Sequence, residues 1–323
     1  MMKATTRQIL HGLLLVLAVV VLNFLLLRAA PGDPVETIAG VSGGMSEELK
    51  NQLREQYGLN RPLIVQLGVY LGKVVSGDLG FSYYFNAPVT DLILQRLPAT
   101  LLLVVCAVLF SFLMGTTLGV LASRKPNGAL SQTITVVSLV GFAAPVFWTG
   151  MMLVITFAAY WQVFPISDMR NVTSDGGGGW ADILDVAHHL VLPMVTLAVL
   201  FLAHYSRLAR ASMLDVLGSD YVRTARAKGL GEASVLYKHA LRNAVLPVIT
   251  MLGMQFGNVL AGAVLVETVF NWPGLGRLAF ESVLRRDYPT ILGVLLFSSF
   301  VVVVMNMLTD IVYRLIDPRI RTS

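Results

Sequence analysis

Long apolar runs alternate with shorter polar stretches along this chain, and the runs are too long for the core helices of a water-soluble domain. A bilayer's hydrocarbon core takes about 20 apolar residues of helix. Six segments meet that length, at roughly 9–29, 97–122, 133–160, 190–209, 246–270 and 290–316. The pattern predicts an all-α integral membrane protein of about six transmembrane helices. Lys3 and Arg7 precede the first run, as in a secretory leader. Its apolar stretch, Ile9 to Leu27, is longer than the usual leader core of about 7–15 residues. A Pro31-Gly32-Asp33-Pro34 turn follows, and proline is unfavourable beside a cleavage site. The first run is therefore expected to stay as an anchor. Pro145 and Pro193 fall within the third and fourth runs and are expected to kink them.

Composition agrees with the pattern. Of the 323 residues 55% are hydrophobic and 13% charged, against about 25% charged in soluble domains. The net charge of +5 is read through the rule that short cytoplasmic segments collect Lys and Arg. Lys3 and Arg7 lie before the first run, Arg124 and Lys125 between the second and third, and Arg314, Arg319 and Arg321 at the end. Arg207, Arg210, Arg223, Arg226, Lys228, Lys238 and Arg242 lie between the fourth and fifth. The opposite side has Arg170, Arg277, Arg285 and Arg286 outside its long first loop. Both termini are thus expected in the cytoplasm. The basic residues are scattered without interleaved aromatics, which argues against a nucleic-acid partner. The one cysteine, Cys106, sits in an apolar run and allows neither an internal disulfide nor a cysteine zinc site.

The expected layout is an N-terminus and first span over 1–29, a large external loop over 30–96, a core over 97–316 and a tail over 317–323. In the external loop Ser46-Glu47-Glu48 opens a charged helix that runs to Gly58. Leu63 to Val75 is more apolar, and Gly77-Asp78-Leu79-Gly80 ends it as a turn. This loop reads either as a cap over the external mouth or as a docking surface for a delivery protein. In the second external loop Gly176 to Gly179 forms a flexible run, and Asn171-Val172-Thr173 is a glycosylation sequon by pattern only.

The 210–245 loop carries the most information. Ser219 and Asp220 suit a helix N-cap, Tyr221 to Lys228 reads as a two-turn helix, and Gly229 suits the position after its end. A second helix is expected from Glu232 through His239 and Arg242 toward Pro247. Ala225 and Ala227 offer a close-packing face, and Arg223, Arg226 and Lys228 a cationic one. Such a helix, tied by its flanks to two spans, can transmit a push from a partner; a basic loop lying on anionic membrane lipid is the alternative.

Asp220-Tyr221-Val222-Arg223-Thr224-Ala225-Arg226-Ala227-Lys228-Gly229-Leu230, followed by His239-Ala240-Leu241-Arg242-Asn243-Ala244 and Pro247, resembles the EAA-type coupling loop of ABC importer permeases. The form is that of the dipeptide, oligopeptide, glutathione and nickel permease group. The resemblance covers the whole chain through Pro31-Gly32-Asp33-Pro34, Gly77-Asp78-Leu79-Gly80, Asn271-Trp272-Pro273-Gly274-Leu275-Gly276, Arg286-Asp287-Tyr288-Pro289 and Asp317-Pro318-Arg319-Ile320-Arg321. The glutamate that names the motif falls at Arg223 and its first alanine at Thr224, and the interval from Gly229 to Pro247 is longer than in sugar permeases. The resemblance implies a type I importer fold and a permease working in a complex. It implies a second homologous permease, two cytoplasmic ATPases that use ATP and Mg, and a periplasmic or lipid-anchored substrate-binding protein. It also implies that Asp220, Tyr221, Arg223, Thr224, Ala225, Arg226, Ala227, Lys228 and Gly229 couple to the ATPases. No Gly-x-x-x-x-Gly-Lys-Ser/Thr loop is present, so any ATP is expected to be used by partners, with no cofactor on this chain.

Other patterns weigh less. Gly274-Leu275-Gly276-Arg277-Leu278-Ala279 spells a dinucleotide fingerprint without a βαβ unit around it, and a tight turn is the expectation. Gly40-Val41-Ser42-Gly43 has the letters of an intramembrane protease motif but lies in an external loop. His188 and His189 are adjacent and so face apart on a helix, which disfavours a shared metal; His204 lies within the fourth span. Gln255, Asn258 and Glu267 in the fifth run and Asn306 and Asp310 in the sixth are either helix–helix hydrogen bonds or the lining of a path. Glu267 is placed near the external end, where water can reach its charge. An ion-coupled secondary transporter is the competing function, disfavoured by spans nearly free of charge and without visible repeats. A membrane enzyme finds no nucleophile–base pair to support it.

Overall fold

The computed structural model describes residues 2–29, 46–56, 61–171 and 179–316. Pro31 to Pro34, Gly40 to Gly43, Gly176 to Gly178, Val172-Thr173 and the tail from Asp317 lie outside the described residues. The helices are α1 (Met2–Ala29), α2 (Glu47–Gln56), α3 (Leu63–Val75), α4 (Val89–Arg124), α5 (Ala129–Ala143) and α6 (Val146–Leu153). A wide π turn, Val154–Tyr160, extends α6. Then come α7 (Trp180–Leu217), α8 (Asp220–Ala227), α9 (Glu232–Ser234), a second π turn (Val235–Ala240), α10 (Leu241–Val269), α11 (Leu275–Arg285) and α12 (Tyr288–Ile316). A small antiparallel hairpin, β1 (Phe81–Ser82) with β2 (Ala87–Pro88), precedes α4.

Among the described residues Val89–Arg124, Trp180–Leu217 and Tyr288–Met307 are each long and apolar enough to cross a membrane. The expected third span, 133–160, is not one rod. It is bent by 108° between α5 and α6, where Ala144 is extended and Pro145 stands immediately before the next helix. Proline cannot donate to the helix ladder, and it disfavours helical backbone in the residue before it. Pro193, by contrast, lies inside an unbroken α7. The fifth expected span is continuous with the segment before it, and Pro247 lies inside α10 instead of at its start.

The chain divides into two compact units, Met1–Pro98 with Leu278–Val304, and Ala99–Arg277 with Met305–Ser323. In the first unit, Asn23 Nδ2 donates to the Leu292 carbonyl at 3.0 Å, and a Cβ on Gly12 would stand 2.8 Å from Val303 Cγ1. These two contacts run α1 antiparallel to α12, which brings the start of α1 and the Val303 end of that contact to the same end of the pair. Gly77 and Gly80 hold φ of +80° and +95°, and the Asp78 carboxylate accepts from Gly80 N at 2.9 Å, closing the expected turn. Asp287, ahead of α12, accepts from Ser82 and Thr290 hydroxyls.

In the second unit α4 lies against α7 at backbone distance. A Cβ on Gly115 would stand 2.6 Å from Tyr205 Cβ, and one on Gly119 2.5 Å from the Ser206 carbonyl. Two glycines four residues apart sit on one helix face, and small residues there let helices close in where no hydrophobic gain over lipid is available. The matched pairs, 115 with 205 and 119 with 206 to 210, make α4 and α7 parallel. Arg210 Nε donates to Ser131 at 3.1 Å, and Gly141 abuts Val199, so α5 runs antiparallel to α7. Directions therefore alternate as successive crossings require. From Trp180, 81% exposed, to Arg207 the helix rises roughly 40 Å, close to the full thickness of a bilayer with its headgroups.

Gly119→Leu is expected to destabilise the protein in detergent by about 1–3 kcal/mol, the usual range for overpacking, because backbone of α7 faces the new side chain. A thermal melt followed by size-exclusion chromatography checks this, with the exposed Leu109→Ala as the tolerated control.

Candidate functional site

Helix α8 is amphipathic, and its two faces do different things. Val222 and Ala225 are buried, three residues apart, against Val235 and the partly buried Val216 and Leu217. Tyr221, Arg223, Thr224, Arg226, Ala227 and Lys228 are exposed. Ser219 occupies the N-cap position in extended conformation, but its hydroxyl does not cap the helix. It donates back to the Val216 carbonyl at 2.6 Å, which corrects the expected cap. Asp220 is the first helical residue, and its carboxylate lies 3.6 Å from Arg223 in an exposed pair.

The end of α8 is a complete left-handed cap. Gly229 has φ +79°, its N–H donates to the Arg226 carbonyl at 2.9 Å, and Leu230 N–H reaches back to Ala225 at 3.4 Å. This pair of bonds satisfies carbonyls that a helix end leaves open. Across the turn the Arg226 guanidinium takes both Glu232 carboxylate oxygens, at 2.9 and 3.3 Å, so the turn is clasped on its outer side. Beyond it the π turn places Val235, Leu236 and Ala240 inward. Leu236 and Ala240 pack with Val120 of α4, Met213 of α7 and Ala244 of α10. Three long helices thus meet under α8.

A second polar cluster lies at the other end of α4 and α10. Glu267, expected with a solvated charge, is fully buried. Thr100 donates to its Oε1 at 2.6 Å, and the N–H of Arg277 to its Oε2 at 3.0 Å. Leu275 N–H donates to Thr100 Oγ1 at 2.8 Å. The carboxylate therefore sits at the N-terminus of α11, where unpaired N–H groups and the helix dipole favour negative charge. Gly274 and Gly276 make room: a Cβ on Gly274 would overlap the Glu267 carboxylate at 2.2 Å. The letters of the dinucleotide fingerprint thus serve a tight turn around a carboxylate. Trp272, also fully buried, donates to the Ala99 carbonyl at 2.9 Å. Thr100 to Val120 spans roughly 30 Å along α4, the thickness of a hydrocarbon core, so the two clusters stand at opposite faces of such a layer.

The other candidates are dispersed. Gln255 is buried on α10, and the side chain of Asn258 lies outside the described residues. Asn306 is exposed on α12, and the Asp310 side chain is outside the described residues. His188 Nε2 lies 2.8 Å from the Val163 carbonyl, whereas His189 is buried with Nδ1 2.8 Å from the Asp185 carbonyl. His204 meets the edge of Phe142, its ring centroid 4.9 Å away. Thr100 and Asn243 carry contacts that no local pattern marks; the spacing of Gly115 and Gly119, by contrast, was readable.

Glu267→Ala is expected to cost about 1–3 kcal/mol for each donor left without an acceptor, with Glu267→Gln milder because one acceptor oxygen remains. Detergent melting of the two variants beside the parent measures the difference.

Comparison with known proteins agrees with this geometry. The family described as binding-protein-dependent transport system inner membrane component matches residues 115–322, and the N-terminal family of the same systems matches residues 1–104. The oligopeptide transport system permease protein AppB of Bacillus subtilis (strain 168) is 40% identical over 315 residues, covering 97% of this chain and 98% of that protein. The dipeptide transport system permease protein DppB of Escherichia coli (strain K12) is 39% identical over 321 residues, covering 94% of each. Among solved structures, a chain of the inward-facing MetNI methionine ABC transporter superposes with a TM-score of 0.55 at 15% identity. That match covers 70% of this chain and 96% of the other, and is a likeness of fold.

Proposed function

This chain belongs to the inner membrane components of binding-protein-dependent transport systems, and from that premise we propose that it is a permease subunit of an ATP-driven importer of di- or oligopeptides. The observation that carries the reading is α8: an amphipathic helix seated by Val222 and Ala225 on the end of α7 and the π turn Val235–Ala240, with its cationic face exposed. A helix held in this way passes displacement to the helices beneath it. Arg223, Arg226 and Lys228, with Asp220, Tyr221, Thr224, Ala227 and Gly229 around them, form the surface offered to a cytoplasmic ATPase. Ala225 instead belongs to the seat, because it is 4% exposed.

In this reading a second homologous permease completes the path, two ATPases use ATP and Mg, and a periplasmic or lipid-anchored binding protein delivers the peptide. The class of solute is taken from the relatives named for oligopeptides and dipeptides. Closure of the ATPase pair moves α8, and rocking of the permease helices exposes the path to one side at a time. Gln255, Asn258 and Asn306 are the polar groups offered to that path. Glu267 instead holds α11, since both carboxylate oxygens are taken.

Two measurements check the reading. Gentle purification of the tagged chain is expected to bring down a second permease and ATPase subunits, identified by mass spectrometry; recovery of an active homo-oligomer alone would overturn it. Deleting Tyr221–Lys228 is expected to leave membrane insertion intact and abolish both ATPase recovery and uptake.

A further inference from the structure

Among the described residues the seat of α8 has one side-chain hydrogen bond into α10. Asn243 Nδ2 donates to the Tyr221 hydroxyl at 2.8 Å, twenty-two positions along the chain, and the Tyr221 hydroxyl lies 3.5 Å from the His239 carbonyl. Tyr221 is in the first turn of α8 and Asn243 in the first turn of α10. Between them lie the clasped turn and the π turn Val235–Ala240. A π turn is a weak point in a rod, because its wide i→i+5 bonds repack more readily than α-helical ones, and such turns gather at functional sites. The hydrogen bond runs directly from α8 to the far side of that weak point.

On the other flank α8 leaves α7 through Gly218 and Ser219, and among the described residues no side-chain hydrogen bond joins the two helices. The Ser219 hydroxyl turns back onto Val216 of α7 and holds nothing in α8. The connection of α8 to α10 is thus bolted by a hydrogen bond and backed by the Arg226–Glu232 clasp, whereas its connection to α7 is a backbone joint over an apolar contact. α10 then runs unbroken to Glu267, the carboxylate that receives the first turn of α11.

We propose that the Tyr221–Asn243 hydrogen bond is a strut that carries displacement of α8 into α10, which makes Asn243 a positioning residue for coupling. The strut bypasses the π turn, so α8 and α10 shift together while the Gly218 joint flexes. Motion that begins at the ATPase face then reaches the Glu267 end along a single helix. The proposal rests on the coupling role of α8 given above.

The test uses the complete purified complex in lipid, with Cys106→Ser in this chain and a reporter cysteine at Leu265, a half-exposed position of α10. The probe is the maleimide labelling rate of this subunit on a gel, with and without ATP plus vanadate, so that no transported solute is needed. With the strut intact the rate is expected to change at least threefold on trapping. Asn243→Ala is expected to reduce that change to less than 1.5-fold while trapped nucleotide per complex is retained, and Tyr221→Phe to reduce the change per trapped nucleotide to the same extent. The double variant is expected to be no worse than either alone, and Asn243→Gln, which keeps the donor, to retain at least half the response. An unchanged response in Asn243→Ala, no response in the parent, additive losses in the double variant, or loss of the ATPases from Asn243→Ala would each overturn the strut. A separate arm replaces Arg223 with cysteine and tests cross-linking to the ATPase. Failure there overturns the docking role of α8, whereas success there with an unchanged Asn243→Ala response overturns the strut alone.

Discussion

Where α4 meets α7, two glycines bring helix backbones into contact, and the second unit is organised around that line. In lipid there is little gain from hiding one apolar helix against another, so association depends on how closely the surfaces fit. Gly115 and Gly119 remove the side chains that would hold the helices apart, and Tyr205, Ser206 and Ala209 fill the space. With α4 and α7 fixed side by side and parallel, α5 and α10 can only run against them. The ends of these helices then meet in layers, one carrying α8 and one carrying Glu267.

Those two layers handle polarity in opposite ways. Under α8 the contact is apolar, and the charges of Arg223, Arg226 and Lys228 stay in water. An exposed cationic face costs nothing in desolvation and remains open to a partner. At the other end a carboxylate is taken fully out of water. It is tolerated there because a hydroxyl and a helix N-terminus supply the hydrogen bonds that water would have given. The glycines of that turn show the geometric side of the same requirement, since any side chain at Gly274 would displace the carboxylate.

The irregular backbone follows a similar logic. A bend of 108° at Ala144-Pro145 and the π turns at Val154–Tyr160 and Val235–Ala240 interrupt otherwise regular helices. The π turns leave helix hydrogen bonds changed, not lost, whereas the break at Pro145 gives up bonds of the ladder, and membrane proteins accept such breaks where neighbouring helices cover them. Val235, Leu236 and Ala240 are all buried, so one face of the second π turn is covered by α4, α7 and α8, while Tyr237 and Lys238 on the other are exposed.

Local pattern by itself determined much of this protein. Apolar run length marked α4, α7 and the start of α12, because a bilayer imposes its thickness on any helix that crosses it. Basic residues in short segments marked the 210–245 loop, and an N-cap serine, two turns and a glycine bounded α8 to within a residue of Asp220–Ala227. All of these are signals between neighbours in sequence, which periodicity and capping rules can read. Tertiary structure alone decided that Glu267 is buried, because its partner Thr100 is 167 positions away and leaves no local trace. It decided that Ser219 bonds backward and that the third run breaks instead of kinking. It also decided that Asn243 reaches Tyr221. Each of these depends on which helices become neighbours in space, and a contact between distant residues has no period along the chain.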